Sequence, residues 1–272
     1  MMWGYAAITW GDAYLQCIDE TTKLGFKGVQ LRGNAYNAFK DRPAELKQIL
    51  QNAGTSMPIM SGGNLSLNPA VEQKEREEYI EKAEWVAAMG GKFLQITSYQ
   101  PKEFDISTVK PADLERFGFL LTELGKATAK VGVKVVHHNH METITEKPES
   151  IKVVHQATDP KYVGLLLDVA HYHQGRGNPA AAIAEYSKIL SILHIKDVVT
   201  PDPQNASKPG SYRFVELGQG KVNLPSIFKA LDAINYKGWG VVELDAVPSP
   251  EKTPLQCAQI SLNYLKKLNV IS

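Results

Sequence analysis

Short apolar runs alternate with longer segments of helical periodicity along the whole chain. The apolar runs predict eight strands, at residues 5–10, 28–32, 56–60, 92–97, 133–138, 163–168, 189–195 and 240–244. The segments between them predict helices at residues 12–24, 43–52, 70–89, 111–130, 148–157, 179–189 and 252–267. Eight strands interleaved with helices indicate the α/β class, as a single (β/α)8 TIM barrel domain over residues 1–272.

Four residues that can bind metal stand at the ends of four of these runs: His138, Asp168, His194 and Glu243. If the runs are parallel strands of one barrel, their carboxyl ends meet on one face. Two imidazoles and two carboxylates at that face would form a mixed nitrogen and oxygen site for one divalent ion, with manganese, zinc, cobalt and iron as candidates. A structural histidine or a turn-capping aspartate is the alternative for His138 or Asp168 taken alone.

The spacing of the four residues supports this layout. The intervals from His138 to Asp168 and from Asp168 to His194 are each close to the about 30 residues of one strand and helix repeat. The interval from His194 to Glu243 is longer and contains a stretch rich in Pro, Asn, Ser and Gly at 200–211. Long loops on this face of a barrel commonly shape the substrate pocket, so we expect residues 198–222 to cover the metal.

The net charge narrows the range of binding partners. The chain has 30 basic and 29 acidic residues, a formal net charge of +1. This balance does not produce the field that recruits nucleic acid or an anionic membrane, so neither is expected as a partner. A small neutral or weakly charged molecule fits better as a substrate, and the hydrophobic content of 43% is enough for a full core.

The cysteines and the first residues bear on the compartment. Cys17 and Cys257 lie far apart and form no metal-binding spacing, so free thiols in a reducing compartment are expected. No apolar stretch approaches the about 20 residues that span a bilayer, and no signal-peptide pattern precedes the first strand. We therefore predict a soluble, cytoplasmic protein. A leader removed before residue 1 is an open alternative, and assembly into a homo-oligomer is left open.

Two further residues near the predicted site could take part in chemistry. His140 is two residues beyond His138 and faces the same side of an extended chain, so it is a candidate base or substrate contact, or else an exposed loop histidine. Lys196 could neutralise a developing enolate or bind a substrate hydroxyl. Pairing with Asp197 is the alternative for this lysine.

Two more residues are candidates for substrate binding. Trp10 ends the first predicted strand and could stack on the apolar face of a sugar ring, or it could serve only in packing. His171 follows Asp168 in the same motif and could contact the substrate or orient a neighbouring group. We expect both at the barrel mouth that carries the metal site.

Five motifs resemble those of a known family. They are HHNHMET at 137–143, LLLDVAH at 165–171, HIKD at 194–197, LGQGKVN at 217–223 and GWGVVELD at 238–245. Together and in this order they resemble the xylose isomerase-like TIM barrels of the sugar phosphate isomerase and epimerase superfamily, over nearly the whole chain. Within that family, the ITWGD opening at 8–12 and the His-X-His-Met-X-Thr run are most similar to the inosose dehydratases.

The resemblance implies a ligand set and a chemistry. In the family, residues matching Asp168, His194 and Glu243 bind manganese, magnesium, cobalt or zinc, and the substrate is a carbohydrate. The fourth ligand is usually Glu, and His138 stands in its place here. The resemblance to the dehydratases implies that the metal polarises a ketone, a base removes the adjacent proton, and a β-hydroxyl leaves as water.

The histidine at position 138 also bears on the type of reaction. Isomerases and epimerases of the family use two opposed carboxylates, at positions matching His138 and Glu243, to move a proton. With one of the pair changed to imidazole, dehydration after enolisation is favoured, and aldose–ketose isomerisation or epimerisation is the alternative. His140, Lys196 and Glu243 are then the candidate catalytic residues. Glu142 stands where the dehydratase motif commonly has a small residue, and it is a further candidate for substrate binding.

Two hypotheses of other classes stay open. A phosphodiester-cleaving nuclease of the same fold would need more His and Glu ligands and a basic face, which the seven histidines and the charge of +1 argue against. A non-catalytic carbohydrate-binding barrel would need no metal. Metal analysis of the purified protein therefore separates this second hypothesis from the enzymes.

Overall fold

A computed structural model of the protein describes residues 1–99, 105–205, 207–208 and 210–271. Ten strands lie in these ranges: β1 (Met2–Ala6), β2 (Gly28–Gln30), β3 (Ile59–Leu65), β4 (Phe93–Ser98), β5 (Lys134–His138), β6 (Val163–Asp168), β7 (Leu190–Ile195), β8 (Asp197–Val199), β9 (Arg213–Val215) and β10 (Trp239–Val242). The same ranges hold ten α-helices: α1 (Tyr14–Lys23), α2 (Gly33–Phe39), α3 (Pro43–Ala53), α4 (Glu72–Met89), α5 (Pro111–Thr128), α6 (Pro148–Gln156), α7 (Val169–Gln174), α8 (Pro179–Glu185), α9 (Leu224–Ala233) and α10 (Pro254–Lys267).

Eight of these strands form one parallel sheet that closes on itself. Their order is β2-β1-β10-β7-β6-β5-β4-β3, and each neighbouring pair runs parallel. At the closing seam between β3 and β2, the described residues form two isolated parallel bridges, Gly28 with Ser56 and Leu31 with Met60. With helices between the strands, this is a (β/α)8 barrel, so the predicted fold class is confirmed.

An apolar layer fills the barrel interior beneath one end. It joins side chains from six strands, namely Ala6, Ile59, Val136, Leu166, Ile192 and Val241. Because side chains alternate along a strand, the residue two positions further on faces the same interior. For four of these strands that residue is His138, Asp168, His194 or Glu243. The strand period therefore places four polar side chains in one layer above an apolar floor.

The first strand is shorter than the sequence pattern predicts. Of the predicted strand at 5–10, residues Ala7–Trp10 form a 3-10 turn after β1. The chain turns there across the end of the barrel, where the Thr9 hydroxyl donates to the Leu244 carbonyl oxygen. β-Branched and aromatic residues favour a strand locally, and this tertiary contact overrides the preference.

The third strand starts and ends later than predicted. The prediction placed it at 56–60, whereas β3 covers Ile59–Leu65. The strand passes through Gly62 and Gly63, and its register with β4 shifts between Ser61 and Gly63. Because glycine is depleted in strands and marks bulges, the residue pattern ends this strand too early.

The insertion between β7 and β10 contains a hairpin as well as the predicted loop. Its strands β8 and β9 pair antiparallel. The Asp197 carboxylate accepts hydrogen bonds of 2.9–3.0 Å from the backbone N–H groups of Val198, Gly218, Gly220 and Val222. Glycine is needed at 220, because a Cβ there would lie 2.0 Å from Asp197 Oδ1. The insertion is therefore tied to the carboxyl end of β7.

Both cysteines are buried and free, as predicted. Burial raises the pKa of the Cys17 and Cys257 thiols, so both stay protonated and unreactive at neutral pH. In the described part of the chain, no helix is long and apolar enough to cross a membrane.

His137 and His155 form a pair on the outer side of β5, in which His137 is buried and His155 is half-buried. The His137 ring packs edge-on against Phe117 with centroids 5.4 Å apart, and its Nδ1 lies 3.1 Å from His155 Nε2. Burial lowers the pKa of His155 to about 4. It also lowers the pKa of His137 well below its ordinary value. Both rings are therefore neutral in the folded protein at pH 7.

We expect the burial of His155 to make the protein less stable in mild acid. In the unfolded chain this histidine takes up a proton near pH 6.5, whereas in the folded protein it does so near pH 4. The contribution of neutral His155 to the free energy of unfolding is therefore fully present above pH 6.5. It falls by about 3 kcal/mol as the pH drops toward 4. Urea unfolding at pH 7.5 and 4.5 measures the effect. Between these two pH values, the free energy of unfolding of the His155→Phe variant should fall by about 2–3 kcal/mol less than that of the wild type. Equal losses in the two proteins would contradict the prediction.

Candidate metal centre

The four side chains of the polar layer converge at the carboxyl ends of their strands. His138, Asp168, His194 and Glu243 are all buried, and one ligand atom from each lies within 4.8 Å of the others. Asp168 Oδ2 is 3.6 Å from both His138 Nε2 and His194 Nδ1. His194 Nδ1 is also 3.4 Å from Glu243 Oε2. The four atoms therefore surround one small volume above the apolar floor.

Three of these atoms have no hydrogen-bond partner among the described residues. They are His138 Nε2, Asp168 Oδ2 and His194 Nδ1, and all three are buried. A buried polar atom without a partner costs about 1–3 kcal/mol, so three such atoms around one small volume indicate a site that a positive group would satisfy. Two imidazole nitrogens with carboxylate oxygens are a donor set that suits a divalent transition metal. The residues present therefore fit a metal ion.

Asp168 combines two functions through its two oxygens. Its Oδ1 accepts hydrogen bonds of 2.8 Å from the backbone N–H groups of Ala170 and His171, which caps α7. Its backbone is held to the end of β5, because Asn139 Oδ1 accepts from the Asp168 N–H and Asn139 Nδ2 donates to the Asp168 carbonyl oxygen. The cap and the amide fix the carboxylate, and Oδ2 is left to face the other three side chains.

The charges around the cluster keep its carboxylates ionised. Burial alone would raise the pKa of Asp168, but His171 and Lys196 outweigh burial and hold that pKa well below its usual range. For Glu243 burial is likewise outweighed, by His194 and Lys196, and its pKa is lowered to about 2. Burial lowers the pKa of His138. At neutral pH the site therefore presents carboxylates with a neutral His138 imidazole.

Lys196 is fully buried beside the cluster. Its Nζ is 2.6 Å from Asp245 Oδ1 and 3.1 Å from Glu243 Oε1, and it lies 3.9 Å from the centroid of the Phe214 ring. Burial would lower the pKa of this amine, but the two carboxylates outweigh burial and raise it. Lys196 is therefore a permanent cation. It does not form the alternative pair with Asp197, whose oxygens accept backbone N–H groups.

His140 lies at the wall of the cavity above the cluster. Its Nδ1 is 2.6 Å from the Met141 carbonyl oxygen, and because a carbonyl oxygen can only accept, Nδ1 carries the proton. The lone pair is then on Nε2. The ring stacks on His171 with centroids 3.8 Å apart, and burial lowers its pKa. His140 is thus a neutral proton acceptor rather than the exposed loop histidine of the alternative interpretation.

A cavity of about 360 Å³ opens directly above the four convergent atoms. This volume falls within the range of sites for small molecules. Its wall includes two residues of the polar layer, His138 and Glu243, together with His140. Other residues on the wall had no place in the sequence interpretation, namely Arg32, Asn64, Gln95, Thr97 and Asp245.

Three predicted substrate contacts do not line this cavity. Trp10 is buried in the core, packs edge-on against Tyr5 with centroids 5.4 Å apart, and donates its indole N–H to Glu20. Glu142 is exposed on a turn with a φ of 59° and is not among the residues that line the cavity. His171 is buried behind His140, where its Nε2 is 3.3 Å from Lys196 Nζ. We therefore do not propose substrate contact for these three residues.

The described residues of the segment predicted to cover the site do not cover the cavity. No described residue of 198–222 lines the cavity. The hairpin instead reaches the site from behind, where Phe214 packs against the His171 ring with centroids 5.2 Å apart. The Lys196 ammonium lies over the Phe214 ring, 3.9 Å from its centroid. The described residues of the insertion therefore contact the charged network and do not line the cavity.

Three of the residues that the sequence interpretation missed do carry a signal in the sequence. Gln30 and Gln95 are polar residues inside apolar strands, and Asp245 follows Glu243 by two positions in the motif ELD. Because a buried polar side chain needs a partner, an amide inside a buried strand indicates contact with another polar group. That signal does not say which group it contacts.

Comparison with known proteins gives a consistent result. The family model described as a xylose isomerase-like TIM barrel matches residues 18–268. An inosose dehydratase of Clostridium botulinum (strain Alaska E43 / Type E3) is 27% identical over 277 residues, which cover 94% of this chain and 90% of the relative. An IolI protein with a bound zinc atom superposes with a TM-score of 0.79 at 19% identity, over 99% of this chain and 97% of that one. D-psicose 3-epimerase from Clostridium cellulolyticum H10, solved with D-tagatose, gives 0.78 at 17% identity, over 99% and 98%. The two superpositions show the shared fold.

Proposed function

The chain belongs to the xylose isomerase-like TIM barrel family, and on that premise we propose that it is a metal-dependent carbohydrate lyase of the inosose dehydratase type. Its substrate is a keto-sugar, an inosose or a related polyol, which loses water after enolisation next to the ketone. The observation that carries the proposal is the set of three partnerless buried atoms, on His138, Asp168 and His194, that face Glu243 beneath the cavity.

His138, Asp168, His194 and Glu243 would hold one divalent ion. When bound, the ion supplies a Lewis acid that polarises a ketone oxygen. Two imidazole nitrogens favour zinc, manganese, cobalt or iron over magnesium, which prefers oxygen ligands. The fold gives these residues fixed positions because each projects from a strand of the closed barrel.

His140 is the base in this proposal. Its Nε2 has a lone pair, its ring forms part of the cavity wall, and burial keeps it neutral. A neutral imidazole next to the substrate can accept the proton from the carbon beside the ketone, and the imidazolium so formed can return that proton to the β-hydroxyl, which leaves as water. Stacking on His171 and the hydrogen bond to the Met141 carbonyl oxygen hold the ring in one orientation.

Lys196 supplies fixed positive charge beside the reacting centre. A permanently protonated amine within a buried network stabilises the negative charge that develops on an enolate. It cannot serve as the base, since its pKa is raised by Glu243 and Asp245. Its role is therefore electrostatic, and the proton transfer is assigned to His140.

The engagement of Glu243 favours dehydration over the alternative reaction. Its Oε1 accepts from Lys196 and its Oε2 faces His194. The symmetric mechanism of the isomerases and epimerases needs two carboxylates free to exchange protons, and here one position is His138 and the other carboxylate is engaged. A sugar isomerase or epimerase remains the second candidate, because the solved structures with this fold include D-psicose 3-epimerase.

A screen of inososes, keto-glycosides and free ketoses tests the proposal. The purified protein is incubated with each compound and with added manganese or cobalt, and the products are analysed by chromatography and mass spectrometry. Loss of one water identifies the dehydratase, and an unchanged mass with a new retention time identifies the isomerase or epimerase. If no compound of the three classes changes, the proposed substrate class is wrong.

We expect metal removal to abolish turnover on the substrate found by this screen. The apolar layer beneath the site packs without the ion, so the fold should survive chelation. Turnover and the far-UV circular dichroism spectrum are measured before and after treatment with a chelator, and again after manganese is added back. Full turnover after exhaustive metal removal would contradict the metal-dependent mechanism.

The compartment and the assembly state belong to the same proposal. We propose a cytoplasmic location, supported by the two free and buried thiols Cys17 and Cys257, which fit a reducing compartment. A nucleic acid or a membrane is not proposed as a partner, and a homo-oligomer stays a prediction.

A further inference from the structure

Two glutamine side chains connect the outer nitrogens of the two histidines in the cluster. Gln30 Oε1 is 2.8 Å from His194 Nε2, and Gln30 Nε2 donates to Gln95 Oε1 at 2.6 Å. Gln95 Nε2 then lies 3.0 Å from His138 Nδ1. All four side chains are buried. A chain of hydrogen bonds therefore runs behind the site from β7 through β2 and β4 to β5.

Metal binding by the two histidines would determine what is needed at both ends of this chain of hydrogen bonds. A neutral imidazole that binds metal through one nitrogen carries its proton on the other, and that proton needs an acceptor. For His194 the inner nitrogen is Nδ1, so Nε2 must donate. For His138 the inner nitrogen is Nε2, so Nδ1 must donate. Both ends of the chain must therefore be acceptors when the ion is held by the two histidines.

Two amides in series cannot provide an acceptor at both ends. Each amide has one accepting oxygen and one donating nitrogen, so a head-to-tail chain accepts at one end and donates at the other. As observed, Gln30 accepts from His194, which suits metal binding, whereas Gln95 presents its N–H₂ group to His138. If both amides are turned, His138 faces an acceptor but His194 faces a donor. If only one amide is turned, two N–H₂ groups or two oxygens lie 2.6 Å apart. In every arrangement that avoids such a contact, one histidine is left opposite a donor.

A second group near His138 can resolve the conflict. Thr97 Oγ1 lies 3.2 Å from His138 Nδ1, and a hydroxyl can accept as well as donate. We propose that Thr97 is a positioning residue that accepts the Nδ1 proton of His138 and so directs Nε2 toward the metal, while Gln95 opposes this state. The inference rests on the proposed function, since it concerns how this chain prepares a ligand for the metal.

The proposal predicts opposite effects at the two positions. Thr97→Val keeps the shape of the side chain but removes the acceptor, and the affinity for a divalent ion should fall about 10–100-fold. Thr97→Ser keeps the hydroxyl and should bind within about threefold of wild type. Gln95→Glu offers oxygens to both Gln30 and His138, so the ion should bind more tightly. In the Gln95→Glu background Thr97→Val should then have little effect.

Metal titration of the purified protein tests the inference without reference to activity. The dissociation constant for zinc is measured by competition with a chromophoric chelator for wild type, the three single variants and the double variant. Cobalt absorption bands report whether the ligand geometry is kept, and thermal unfolding monitors the fold. Thr128→Val is a matched control, because Thr128 is also buried but donates to the Gly125 carbonyl oxygen in α5.

The outcomes separate this inference from the proposed function. Weaker zinc binding by Thr97→Val, with binding kept in Thr97→Ser, supports the inference even if Gln95→Glu does not fold. Wild-type affinity in Thr97→Val overturns it, and so does an equal loss in the wild-type and Gln95→Glu backgrounds, since a packing defect would act in both. A wild-type protein that binds zinc but turns over no carbohydrate removes the proposed function alone. Failure of the wild type to bind any divalent ion removes both.

Discussion

We expect replacement of His140 by Gln to lower turnover by about 10²–10⁴-fold, the usual cost of losing a general base. The imidazole Nε2 is the proton acceptor at the cavity wall, and glutamine has no group of comparable basicity. The variant should still hold metal near the wild-type level, because His140 is not one of the four convergent ligands. A glutamine N–H can also replace the hydrogen bond that Nδ1 donates to the Met141 carbonyl oxygen.

The measurement combines kinetics with metal analysis. The values of kcat and kcat/KM are determined on the substrate identified by the screen, and the metal content of each protein is determined by elemental mass spectrometry. His173→Gln is the matched control, since His173 does not line the cavity above the metal centre. Wild-type turnover in His140→Gln would show that the base lies elsewhere, and Glu243 would be the next residue to test.

A second large effect is expected in stability when Lys196 is replaced by Met. The ammonium group lies between Glu243 and Asp245 and is fully buried, so its loss leaves the buried Glu243 carboxylate and the partly exposed Asp245 carboxylate without this counter-charge. Breaking a buried ion pair by removing one partner typically costs about 3–5 kcal/mol. We expect a loss of that size in the free energy of unfolding at pH 7.5, in metal-free protein.

An exposed lysine provides the control for this effect. Lys23 pairs with Asp19 at 2.6 Å on the surface of α1, and 72% of the lysine side chain is exposed. An exposed pair of this kind contributes about 0.3–0.5 kcal/mol, so Lys23→Met should change stability by no more than that. Urea unfolding of wild type and both variants compares the two sites. A loss below about 1 kcal/mol in Lys196→Met would contradict the assigned network.

The barrel and the four convergent residues follow directly from the sequence pattern. His138, Asp168 and His194 end or closely follow buried apolar runs, and parallel strands of one barrel place such ends together. The period of two along a strand decides which residue faces the interior, so His138 faces the cluster while His137 faces the helices. That information is local, and it survives small errors in strand boundaries.

The rest of the site depends on contacts between distant residues. Gln30 is 164 positions from His194, and no local pattern shows that the two meet. Trp10 was placed at a strand end, but the turn after β1 directs it into the core against Tyr5. The strands β8 and β9 have three residues each, which is too short for a pattern to separate them from loop. Long-range packing decides these features, and the sequence pattern does not encode it locally.

The hydrogen bonds of Gln30 also bear on the closing seam of the barrel. Two isolated bridges join the backbones of β2 and β3, whereas Gln30 of β2 also donates to Ser61 of β3 and to Gln95 of β4. The same side chain accepts from His194, so one residue contacts both a candidate metal ligand and the strand across the seam. If the cluster holds an ion, we expect ion binding and closure of the barrel to be thermodynamically linked. An ion that fixes His194 would then strengthen closure, and by reciprocity closure of the seam would strengthen ion binding by the same coupling free energy.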